Sequence, residues 1–144
     1  MQRIVVGVDG SEHSRRALEW AIAEAKTRPA RLTVVAAWEL PTAVLASPAV
    51  ALVYDPENWE KAAGETLDAA LRSIDVNDLP AGLERQVVEG PAAKVLLDAG
   101  NDADLIVVGS RGRGGFAGLL LGSVSQQVVH HARCPVVIIP AEQS

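Results

Sequence analysis

Short apolar runs rich in Ile and Val alternate along this chain with segments whose apolar residues recur at helical spacing, from one end to the other. Residues 4–8, 31–37, 83–88, 105–108 and 136–139 read as strands, the first and the last two lacking the polar alternation of a half-exposed sheet. Residues 11–27 place Ala17, Leu18, Ala21, Ile22 and Ala25 on one helical face, with Ser11 positioned to cap the first turn. A second helix follows Asp55-Pro56 and carries Trp59, Ala62, Ala63, Thr66, Leu67, Ala70, Leu71 and Ile74. Residues 92–99 form a short helix with Gly100 as its C-cap, and residues 122–132 form a fourth. Strands joined by helices are parallel, and their crossovers right-handed. The expected fold is a three-layer α/β doubly wound sheet of five parallel strands and four helices, in a single domain over residues 1–144.

Composition agrees. Apolar residues make up 49% of the 144, enough for a substantial core. The single Cys134 can form neither an internal disulfide nor a metal quartet, which fits a reducing cytosol. Met1-Gln2-Arg3 runs straight into the first strand, so no leader is expected, and neither uncharged stretch (residues 40–54 and 114–132) suits a membrane span. A cytoplasmic location follows as an expectation. The net charge of -5 argues against nucleic acid or an anionic membrane as partner. That charge is uneven. The first 104 residues hold 17 acids and 10 bases, whereas the rest holds Arg111, Arg113 and Arg133 against Glu142 alone.

Ligands of doubly wound sheets bind beyond the carboxyl ends of the strands, at the switch point in strand order. Those ends deliver Asp9-Gly10-Ser11, Ala37-Trp38 and Gly109-Ser110-Arg111. The last begins a loop with Gly109, Gly112, Gly114, Gly115 and Gly118, and Gly122-Ser123 then opens the final helix. Glycines let backbone amides converge on a phosphate, a helix N-terminus favours its charge, and Arg111 and Arg113 add cations. The Ser123 hydroxyl can donate to phosphate or ligate Mg²⁺. The loop is not a P-loop, because no G-x-x-x-x-G-K-[ST] occurs. The formal dinucleotide match at Gly112, Gly114 and Ala117 follows the wrong strand and lacks its acidic partner.

The pattern Gly109-x2-Gly112-x9-Gly122-Ser123 resembles the G-x2-G-x9-G-[ST] ATP-binding signature of the universal stress protein family. The likeness extends to residues 6–11, the Gly90-Pro91 turn and the Pro135-Val136-Val137 ending. The resemblance implies a Rossmann-like strand order of 3-2-1-4-5 and ATP with Mg²⁺ (or Mn²⁺) at the carboxyl edge. By position, Asp9 would contact the ribose or, through water, the metal, the backbone near Ala37 would read adenine, and Gly109 would border the ribose. Gly112, Gly122 and Ser123 would hold the phosphates, with Arg111 or Arg113 beside them and Ser123 as a second metal ligand. The resemblance also implies a homodimer through antiparallel pairing of the last strand, Val136 to Ile139.

No residue stands out as a base for activating water, so turnover is expected to be slow or absent. Ser110 is not in a nucleophile elbow, His130 and His131 diverge on their helix, and His13 has no triad context. Cys134 reads as a packed residue, and three scattered tryptophans make no stacking platform. The position after the first strand, Asp9-Gly10-Ser11-Glu12-His13-Ser14, also lacks the S-G-G-x-D-S or H-I-G-H loop of adenylating and pyrophosphatase enzymes. A preference for cyclic AMP, a nucleotide-independent dimeric interaction module and a slow ATPase remain as alternative functions. The long apolar segment of residues 38–54 is expected to be a lid over the base or part of a subunit contact.

Overall fold

A computed structural model describes residues 2–111 and 121–140. Five strands form one parallel sheet: β1 (Gln2–Gly7), β2 (Ala30–Trp38), β3 (Glu84–Glu89), β4 (Leu105–Gly109) and β5 (Val136–Ile139). Their order is β3-β2-β1-β4-β5, with every neighbouring pair parallel. The switch in order therefore falls between β1 and β4.

The helices are α1 (Glu12–Thr27), α2 (Thr42–Ala46), α3 (Pro48–Ala51), α4 (Pro56–Arg72), α5 (Ala92–Ala99) and α6 (Ser123–His131). Strand alternation divides the core in two. Ile4, Val6, Leu32 and Val34 join α1 and α4 on one face, through Leu18, Ala21, Ile22 and Leu67. Val5, Val35, Ile106 and Val108 point the other way, against Val95 and Leu96 of α5 and Val128 of α6. Burial on both faces is why these strands read as unbroken apolar runs.

Local signals formed as their chemistry requires. Ser11 Oγ accepts the Ser14 amide at 3.2 Å to cap α1, and Asp55 Oδ1 accepts the Glu57 amide at 3.0 Å ahead of Pro56 in the first turn of α4. Gly100 differs from its expected role. Its φ is -76°, and a 3₁₀ turn over Gly100–Asp102 continues from α5, so no left-handed cap exists. Its missing Cβ matters for packing instead, because a Cβ there would lie 2.3 Å from Ile106 Cδ1. The long apolar segment of residues 38–54 contains α2 and α3. It buries Val44 and leaves Leu52 and Val53 88% and 81% exposed. Its helices are too short for a sustained 3.6-residue pattern to show them.

Candidate functional site

The carboxyl ends of β1, β2 and β4 open onto a cleft of about 520 Å³, its mouth included. The inner wall is apolar, built from Gly7, Val35, Ala37, Ala92 and Leu96, while Asp9, Gly109, Arg111 and Ser125 bring polar groups to it. Gly7 leaves room for α5, since a Cβ there would meet Leu96 Cδ2 at 2.9 Å.

Asp9 follows β1 and belongs to a tight turn. Its Oδ1 accepts the Ser11 amide at 2.9 Å, and its own amide donates to Ser14 Oγ at 3.2 Å. Gly10 between them has φ +87°, in the left-handed region that favours glycine. Asp9 is thus a turn residue and a cleft residue together. Ala37, one residue short of the end of β2, also lines the cleft.

Gly122 caps α6, and its amide donates to the Ser110 carbonyl at 2.6 Å. In this arrangement the Gly122 amide ties the helix to the β4 turn. Gln126 makes the first intrahelical bond, to the Gly122 carbonyl at 3.0 Å. The amides of Ser123, Val124 and Ser125 accordingly have no acceptor within the helix, and Val124 and Ser125 line the cleft. Ser123 is exposed at the helix start. Gly112 and Arg113 lie outside the described residues.

The structure thus brings Asp9, Ala37, Gly109 and Arg111 to one cleft and places Gly122 and Ser123 at the adjoining helix terminus. Leu96, Ala92, Val124 and Ser125 also line the cleft without having been singled out in the sequence. The two from α5 could have been found by asking which helix covers the β1–β4 switch. Among the described residues no group of three or more His, Cys, Asp or Glu could hold a metal, and no helix is long and apolar enough to cross a membrane.

A five-stranded parallel sheet with a part-apolar cleft at its switch point, faced by a helix N-terminus, defines a doubly wound α/β domain with its cleft where such sheets bind ligands. The model of the universal stress protein family matches residues 1–140, and the chain belongs to that family. It is 38% identical over 155 residues to universal stress protein Rv2623 of Mycobacterium tuberculosis (strain ATCC 25618 / H37Rv), a match covering 98% of this chain and 48% of the relative. The chain therefore spans about half the length of that relative. It is 39% identical over 140 residues to a universal stress protein of Thermus aquaticus encoded in the 3′ region of the QAH/OAS sulfhydrylase, covering 94% of this chain and 96% of that one. Among solved structures, a universal stress protein in complex with cAMP superposes with a TM-score of 0.62 at 30% identity, covering 96% of both chains.

Proposed function

We propose that the chain binds ATP with Mg²⁺ (or Mn²⁺) in the β1–β4 cleft and acts as a nucleotide-dependent regulatory module in the stress response, with little or no turnover. One observation carries the reading: a single cleft joins an apolar wall suited to a flat base with polar groups and helix amides suited to phosphate. The base lies between Val35, Ala37, Ala92 and Leu96, with the Ala37 backbone reading its edge. Asp9 and Gly109 border the ribose. Arg111 and the first-turn amides of α6 meet the phosphates, together with Gly112 and Arg113.

The available donors, the Asp9 carboxylate and the Ser123 hydroxyl, are the hard oxygen groups that Mg²⁺ or Mn²⁺ takes. Asp9, through water, and Ser123 would hold it, and the ion would supply charge neutralisation at the phosphates.

A second copy of the chain binds through β5. Among the described residues β3 and β5 are the edge strands; β3 carries Glu84, Arg85 and Glu89, which discourage pairing, whereas β5 is Val-Val-Ile-Ile. Cytoplasmic location accords with the lone, unpaired Cys134.

Mass spectrometry of nucleotide released from protein purified without added ligand tests the proposal. Recovered ATP supports it, ADP indicates hydrolysis, and protein that neither carries nor takes up adenine nucleotide refutes it. Cyclic AMP is the second reading, favoured by the cAMP complex of the 30%-identical relative.

A further inference from the structure

Ser110 has no place in the ligand-facing wall, yet its groups tie together four parts of the fold. It is 5% exposed. Its amide donates to the Ile139 carbonyl at 2.8 Å, joining it to the end of β5. Its carbonyl accepts the Gly122 amide at 2.6 Å and the Ser125 hydroxyl at 2.8 Å, fixing the start of α6. Its own hydroxyl lies 3.1 Å from Nδ1 of His13, in the first turn of α1.

The approach of His13 is built into the backbone. A Cβ on Gly109 would fall 2.7 Å from His13 Cβ and 2.8 and 2.9 Å from its carbonyl carbon and oxygen. Glycine at 109 thus lets α1 press its first turn against the β4 turn, and the Ser11 cap and Asp9 turn set where that first turn begins. The His13–Ser110 contact suits either imidazole tautomer: the hydroxyl donates to a bare Nδ1, or accepts from a protonated one.

We propose that His13 is a positioning residue for the nucleotide site: its bond to Ser110 holds the β4 turn in the orientation that seats Gly122 and aims the first turn of α6 into the cleft. The inference rests on the nucleotide reading for its effect on affinity, but its effect on the turn is independent of any ligand. His13 touches no nucleotide in this scheme and acts through Ser110 alone.

The test uses the full chain with His13→Ala, His13→Asn, Ser110→Ala and the His13→Ala/Ser110→Ala double variant. Asparagine keeps a polar atom near the position of Nδ1 and removes the ring, so it separates the hydrogen bond from ring packing. Ser110 is buried, and leaving its hydroxyl without the His13 partner should read as a roughly tenfold effect. In unliganded protein, amide hydrogen exchange at Gly122 should quicken about tenfold in His13→Ala and return to within about threefold of wild type in His13→Asn. The ATP dissociation constant should rise about tenfold and recover in parallel, and the double variant should weaken binding no further than Ser110→Ala alone.

Unchanged Gly122 exchange in His13→Ala, or an asparagine variant as impaired as the alanine one, would overturn the inference. So would faster exchange with unaltered ATP affinity, since His13 would then support only the fold. If wild-type protein binds no ATP, the nucleotide reading fails, while Gly122 exchange still decides whether His13 sets the turn. Should His13→Ala fail to fold, Ser110→Ala and His13→Asn carry the same comparison.

Discussion

Two glycines with opposite surroundings show how single positions are constrained. Gly109 faces the Cβ and backbone of His13 at 2.7–2.9 Å, and those atoms belong to a packed helix turn that has no direction in which to yield. Gly109→Ala should cost about 1–3 kcal/mol, measured as a lowered urea midpoint at unchanged slope. Gly64 sits within α4, where the nearest atom to an added Cβ is Arg85 Nη2 at 3.4 Å, the far end of a flexible side chain. Gly64→Ala should therefore stabilise by about 0.5–1 kcal/mol, and a lower midpoint would show that Arg85 cannot give way. Their steric difference is not legible in the sequence, because what separates them is a neighbour 96 residues distant for one and 21 for the other. His13 showed no triad context in the sequence for the same reason. Its partner Ser110 is 97 residues away, and no local pattern announces such a pair. Cys134 was readable: burial, and next the Asp104 carboxylate, push its thiol above the usual range, outweighing a hydrogen bond from the Ile106 backbone. Iodoacetamide should label it more slowly than an unstructured cysteine at pH 8, and labelling at the same rate would contradict that environment.

Elements were legible where burial and period agreed. The strands alternate their side chains between two covered faces, so Ile4–Val6 and Leu105–Val108 could be nothing else within an alternating α/β pattern. Helices α1 and α4 declared both an apolar stripe and a cap. What sequence did not convey was the use of α5. Its Val95 and Leu96 pack the core in the ordinary way, yet Ala92 and Leu96 also line the cleft, and only the placement of α5 over β1 makes that so. Ala92, in the first turn of α5, is partly exposed and small. Ala92→Leu should project into the wall assigned to the base, weakening ATP binding by at least about tenfold with little change in melting temperature, because no core atom is displaced. Calorimetric titration beside a thermal melt checks both halves, and undiminished affinity would move the base elsewhere. The segment with α2 and α3 leaves the same sheet edge, but among the described residues none from 39 to 54 lines the cleft. Leu52 and Val53 therefore suit a cover that closes on ligand or a subunit contact. Hydrogen exchange there should slow with ATP or with rising protein concentration, and exchange insensitive to both would remove both roles.

For the whole molecule, net charge and local charge answer different questions. A total of -5 opposes association with polyanions, while the cleft depends on where Arg111 and the amides of α6 lie. Since the fold positions the cleft from β1, β2, β4, α5 and α6 together, ligand binding should stabilise the molecule as one unit. A ligand that binds only the folded state adds about 2.7 kcal/mol at 100 times its dissociation constant. For a domain of this size that corresponds to a rise of about 5–10 °C in melting temperature. Three nucleotides compared at equal concentration separate the parts of the site. GTP presents a different edge to the backbone near Ala37, so its shift should fall below that of ATP; equal shifts would show that the base is not read there. Cyclic AMP has the same base but one phosphate, and so cannot use Arg111 and the helix amides as fully. It should stabilise less than ATP with Mg²⁺. A larger shift with cyclic AMP would reverse the assignment of ligand while leaving the cleft in place, whereas no shift with any of the three would remove the nucleotide from the cleft altogether.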